Sequence, residues 1–79
     1  MSRKTLYQDA RFHLVIGQDH ILGEFVQLFD RNLENETPEG EGLILDWSEG
    51  MGLEIDSTGC SKDLEPTTRA LEYIITNID

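Results

Sequence analysis

Apolar residues along the 79-residue chain fall into short runs separated by polar segments, a pattern typical of short strands. Residues 12–16 are rich in aromatic and β-branched side chains and precede Gly17, which predicts a strand that stops there. Residues 43–47 predict another strand, and residues 53–56 alternate apolar and acidic side chains as a half-exposed strand does. Residues 48–50 supply a turn between them, so these two strands are predicted to form a hairpin.

Residues 19–31 fit two different structures. As a helix, their large apolar side chains gather on one arc at about 100° per residue, and Asp19 stands where an N-cap belongs. As a strand, residues 24–30 pair back onto residues 12–16, and two glycines bracket the connecting loop. We favour the hairpin, because Gly23 would cost about 1 kcal/mol inside a helix. The helix over residues 19–31 stays as the alternative.

The C-terminal segment has the clearest helical pattern. Pro66 suits the first turn of a helix, and five apolar residues follow it at helical spacing, which predicts a helix over about residues 66–77. About four short strands followed by one helix define an α+β class, with a small antiparallel β-sheet packed against the C-terminal α-helix. We expect residues 11–79 to form a single domain and residues 1–10 to form a flexible or edge arm.

The charge balance excludes several classes of function. Sixteen Asp and Glu residues stand against six scattered Lys and Arg residues, giving a formal net charge of −10. We therefore expect no direct binding to nucleic acid and no binding to an anionic membrane, since both need clustered basic residues. The sequence contains no run of about 20 apolar residues, so we expect no transmembrane helix. The N-terminus does not resemble a signal peptide. The single cysteine fits a cytoplasmic protein, and self-association as a homodimer would add stability to so small a core.

The residues that could carry chemistry do not form a complete motif. His13 is expected on a strand and His20 in a turn, so neither predicts a metal site together with Asp19 and Glu24. Cys60 has no adjacent histidine or strong base to activate its thiol as a nucleophile. We therefore predict no enzymatic activity, no catalytic residues, no metal site and no cofactor.

The segment from residue 30 to residue 56 carries most of the negative charge. It holds nine acidic residues and one basic residue, Arg31, which is −8 of the total. Trp47 and Met51 lie in the same segment, and such side chains within a field of one sign are typical of a docking surface for a basic partner. A competing interpretation places Trp47 in the core and gives the acids a solubilising role only. The predicted partner-binding residues are Glu34, Glu36, Glu39, Glu41, Asp46, Trp47, Glu49 and Met51.

Two hypotheses about function follow from this charge segregation. The first is a small, non-enzymatic protein-interaction module that binds a basic surface of another protein. The alternative is a nucleic-acid mimic, in which carboxylates imitate phosphates and inhibit a DNA- or RNA-binding enzyme, as an anti-restriction or anti-CRISPR protein would.

Overall fold

The structure, a computed structural model, describes residues 2–33, 42–61 and 63–77. Within these ranges the chain forms one five-stranded antiparallel sheet in the order β1-β2-β3-β4-β5, followed by a single helix. This arrangement confirms the predicted α+β class. The elements are β1 (Ser2–Gln8), β2 (Phe12–Asp19), β3 (Gly23–Asp30), a 3-10 turn (Arg31–Leu33), β4 (Leu43–Ser48), β5 (Gly52–Asp56) and α1 (Pro66–Asn77).

Most of residues 19–31 form the turn and the second strand of a hairpin, with β3 over Gly23–Asp30, so the alternative that made them a helix is wrong. β3 pairs with β2 over eight residues, from Phe12 opposite Asp30 to Asp19 opposite Gly23. This pairing sends alternate side chains to opposite faces of the sheet, which divides the apolar residues that a helix would have gathered on one arc. The count of about four strands becomes five, because β1 pairs with β2 as an edge strand.

β2 continues two residues beyond Gly17, where the sequence pattern predicted its end. Gly17 lies in the ladder, opposite Arg3 on one side and Phe25 on the other. A Cβ atom at this position would collide with the Ser2 carbonyl oxygen and lie 2.7 Å from Cζ of Phe25. The glycine therefore makes room for a close neighbouring strand and an aromatic ring, and the actual turn comes later, before Gly23 at φ 74°.

The hydrophobic core lies between α1 and one face of the sheet. Cross-strand neighbours on this face come from three adjacent strands, as Leu14, Leu28 and Leu45 illustrate, and each of these three is fully buried. Ala70 and Ile74 supply the helix side of the same cluster. Successive side chains of a strand point to opposite faces of the sheet. The residues between the core-facing ones therefore point to the other face, which we call the open face.

A buried carboxylate fastens the helix to the sheet. Asp30, at the end of β3, is fully buried and accepts hydrogen bonds from Arg11 Nε at 3.0 Å and Arg11 Nη2 at 2.9 Å. It also accepts from the hydroxyl of Tyr73 on α1 at 3.1 Å and from the backbone N–H of Asn32 at 3.0 Å. Arg11 reaches on to the helix end, where Nη1 donates to the carbonyl of Asn77 at 3.1 Å. One network thus joins Arg11, the residue just before β2, to β3 and α1.

Candidate functional site: a groove on the open face

The register of the sheet creates a depression on the open face. One row of cross-strand neighbours passes through all five strands and consists of Arg3, Gly17, Phe25, Ser48 and Gly52. The Phe25 ring leans over Gly17, which has no side chain, and its neighbour on the other side, Ser48, is small. A groove of about 220 Å³ lies along this row, and three members of the row line it, namely Arg3, Phe25 and Ser48.

The groove combines apolar contact area with negative charge. Its apolar wall comes from Leu22, Phe25 and Met51. Three carboxylates line it as well, those of Asp19, Asp46 and Glu54, while Arg3 is the one basic residue in the lining. Three acids against one base leave a formal charge of −2 in the groove. This combination can hold a cationic side chain that also has apolar surface.

Two turns fastened to each other close one end of the groove. Gly50, in the turn between β4 and β5, donates its N–H to the carbonyl of Leu22 at 2.8 Å. In the same way the N–H of Glu49 donates to the carbonyl of Glu24 at 2.9 Å. These backbone bonds hold the backbone of Leu22 against the turn that carries Met51, so both residues lie at this end of the groove.

Asp19 is held in its ionised form by the turn that follows it. Its Oδ1 accepts hydrogen bonds from the backbone N–H groups of Ile21 at 2.8 Å and Leu22 at 3.1 Å. These two bonds lower the pKa of Asp19 below its ordinary value, and the bond from Ile21 has the larger effect. The carboxylate therefore contributes negative charge to the groove at any pH near neutral.

The predicted partner-binding residues are divided between different places. Asp46 and Met51 line the groove, and Glu49 lies in the turn at its end with Oε1 3.4 Å from the backbone nitrogen of Glu24. Trp47 points to the other face and packs, partly buried, against the core. Four members of the set lie outside the described residues, namely Glu34, Glu36, Glu39 and Glu41.

Two of the nine acids counted between residues 30 and 56 are neutralised inside the protein. Asp30 is paired with Arg11, and Asp56 lies 3.5 Å from Arg69 Nη1. The side chains of Asp56 and Arg69 are only 11% and 7% exposed. These charges therefore serve the fold, and the count along the sequence overstates the negative charge available to a partner.

Several residues of the groove were not in the predicted site, chiefly Arg3, Asp19, Phe25 and Glu54. They come from four different strands and meet only because of the strand register, which the sequence does not show directly. The signal that could have found them is the glycine inside β2. A glycine within a strand often marks a place where another group approaches closely.

The histidines and the cysteine occupy separate positions. His13 Nε2 lies 3.0 Å from Oγ1 of Thr5, and its ring is tilted against Phe29, whereas His20 lies in a turn. Among the residues described, no group of three or more His, Cys, Asp or Glu side chains is placed to hold a metal ion. Cys60 is partly buried, with Sγ 3.7 Å from the carbonyl of Arg69.

Comparison of the chain with protein-family models, with curated proteins and with solved structures found no match. The described part of the chain also contains no helix that is long and apolar enough to cross a membrane. The groove and its lining residues are therefore the features of the molecule that bear on function.

Proposed function

We propose that this protein is a non-enzymatic interaction module that binds a basic segment of a partner protein in the groove of the open face. One observation carries the proposal: three carboxylates and an apolar wall line the same groove, where the sheet register brings them together. Charged groups of one sign steer an oppositely charged partner, while the aromatic and methionine side chains supply contact area. We further propose that this binding takes place in the cytoplasm, where a lone thiol such as Cys60 stays reduced.

The mixed lining favours this proposal over the nucleic-acid mimic. A surface that imitates phosphates needs carboxylates at regular intervals and gains little from apolar side chains between them. Here Phe25 and Met51 stand among the carboxylates, and Met51 is 60% exposed. Exposed apolar side chains of this kind are typical of protein–protein interfaces.

Affinity capture from the native host tests the proposal when it is done with matched variants. The protein is tagged at its C-terminus, because Arg3 in β1 lines the groove. The double variant Asp46→Asn/Glu54→Gln removes two charges from the groove. Its control, Glu65→Gln/Glu72→Gln, removes two charges from exposed positions in and next to α1.

We expect a partner that binds the wild type and the control equally and binds the groove variant at least about fivefold more weakly. That factor corresponds to about 0.5 kcal/mol for each lost carboxylate, within the range of exposed ion pairs. Equal weakening in both double variants would contradict the proposal, since general charge would then explain the binding. A partner that duplex DNA or RNA displaces would favour the nucleic-acid mimic instead.

A further inference from the structure

We propose that the groove binds an arginine side chain of the partner and that the protein's own Arg3 competes with it. This inference rests on the proposed function and names the group that is recognised. The guest would lay its aliphatic stem on Met51, stack its guanidinium on Phe25 and direct the N–H groups to Asp46 and Glu54, all four of which line the groove.

Arg3 shows that a guanidinium fits in this groove. Arg3 lies on β1 opposite Gly17 of β2, and the ring of Phe25 covers that glycine. Nη1 of Arg3 donates to Oε1 of Gln27 on β3 at 3.4 Å. The protein thus already holds one planar cation over the centre of the sheet.

The carboxylates on the far strands lie beyond the place where Arg3 ends. Gln27 is the direct cross-strand neighbour of Asp46 on β4, and Glu54 follows on β5. Among the described residues, Arg3 forms an ion pair with neither of these carboxylates. The groove therefore has a basic side at β1 and an acidic side at β4 and β5, and the acidic side is the part left for a second cation.

Arginine suits this site better than lysine for reasons of geometry. A guanidinium is planar, presents several N–H donors in a fixed fork and stacks on aromatic rings, whereas an ammonium is a compact point charge. The groove offers both kinds of contact, carboxylates for the fork and the Phe25 ring for its face. Long basic side chains also bury their aliphatic stems on apolar surface, and Met51 provides such surface here.

The test uses small probes and nitrogen-15 spectra of the full chain. N-acetyl-arginine amide is titrated first, followed by N-acetyl-citrulline amide, which has nearly the same shape without the charge. N-acetyl-lysine amide carries the same charge without the planar guanidinium, so comparing it with the arginine probe shows how much the guanidinium geometry adds to binding. The arginine probe should shift the amide signals of Gly17, Phe25 and Asp46, the lysine probe should shift them less, and citrulline should leave them in place.

A pair of neighbouring substitutions tests the competition. Arg3→Gln removes the internal cation, whereas Lys4→Gln removes the same charge from the other face of β1, opposite Ile16. We expect Arg3→Gln to tighten binding of the arginine probe about two- to fivefold relative to Lys4→Gln, the range of an exposed ion pair. Arg3→Lys, which restores a charge at the position, should return the affinity towards that of the wild type.

Three results would overturn the inference. The first is the absence of shifts with the arginine probe, or equal shifts with citrulline. The second is equal affinity in the Arg3→Gln and Lys4→Gln variants. The third is a shift of the groove signals with protein concentration alone, which would assign the groove to a second copy of the chain.

Failure of this inference can be told apart from failure of the proposed function. If the arginine probe fails while Asp46→Asn/Glu54→Gln still weakens capture of the partner, the groove binds the partner through other chemistry and only the inference falls. If the same double variant captures the partner as well as the wild type does, the proposed function itself falls.

Discussion

Replacing Asp30 by asparagine should loosen the attachment of the helix to the sheet. The carboxylate is fully buried and accepts four hydrogen bonds, two of them from Arg11 and one each from Asn32 and Tyr73. An asparagine side chain has nearly the same size but only one acceptor oxygen and no charge. The substitution therefore leaves the Arg11 guanidinium beside a neutral group.

The expected loss is about 3 kcal/mol in the free energy of unfolding. Removing one partner of a buried ion pair costs about 3–5 kcal/mol, and the lower end applies because the Arg11 side chain is 31% exposed. Small domains have total stabilities of about 0.05–0.15 kcal/mol per residue, so this loss is a large share. At about 4–8 °C per kcal/mol, the melting temperature should fall by about 12–24 °C.

The effect of Asp30 should also depend on pH in a defined direction. Burial acts to raise the pKa of this carboxyl, but the hydrogen bonds from Arg11, Asn32 and Tyr73 outweigh it, and the pKa lies below its ordinary value. A group with a lowered pKa stabilises the fold above its unfolded pKa of about 3.9, and this contribution disappears as the pH falls through the folded pKa. The difference between wild type and Asp30→Asn should therefore shrink below about pH 4.

Urea denaturation followed by circular dichroism measures both effects, with Tyr73→Phe as the control. That control keeps the edge-to-face contact with Phe12, whose ring centroid lies 5.9 Å away, and removes one hydrogen bond worth about 1 kcal/mol. Two results together would refute the structural role of this network. Asp30→Asn would lower the free energy of unfolding by less than about 1 kcal/mol, and the difference between wild type and variant would not shrink below about pH 4.

Three further substitutions test other parts of the structure. Gly17→Ala should cost about 2 kcal/mol in urea melts, because the new Cβ would collide with the backbone carbonyl oxygen of Ser2 and press on the Phe25 ring. A neutral result would show that β1 and Phe25 do not approach Gly17 so closely. Trp47→Ala should lower the free energy of unfolding by about 2 kcal/mol through lost packing and leave the dissociation rate of the partner unchanged. A faster dissociation rate would identify Trp47 as an interface residue. Cys60→Ser should change the free energy of unfolding by less than about 1 kcal/mol, because the thiol is only partly buried; a larger loss would place it in the core.

Local patterns in the sequence predicted most of the elements. The helix at residues 66–77 follows from its periodicity, and the β2–β3 hairpin follows from the two glycines, although Gly17 turned out to lie within the strand. β1 was harder to predict, because its residues are mostly exposed and carry little apolar pattern. Its position is fixed by pairing with β2, which is a tertiary contact.

The groove could not be predicted in the same way. Arg3, Phe25 and Glu54 are far apart in the chain and meet through the register of successive hairpins. Charge counting also misled, because Asp30 and Asp56 look like surface acids in the sequence but bind Arg11 and Arg69 inside the protein. A one-dimensional count does not distinguish a solvated carboxylate from one in a buried pair.

The most direct test of the central claim is the association rate of the captured partner as a function of salt concentration. Complementary charge mainly sets this rate and its salt dependence. The wild type, the groove variant Asp46→Asn/Glu54→Gln and the control Glu65→Gln/Glu72→Gln should be compared by surface plasmon resonance. If the groove binds the basic partner, only the groove variant should associate more slowly and show a flatter salt dependence. Equal slopes for the two double variants would contradict the claim, because the position of the carboxylates would then make no difference.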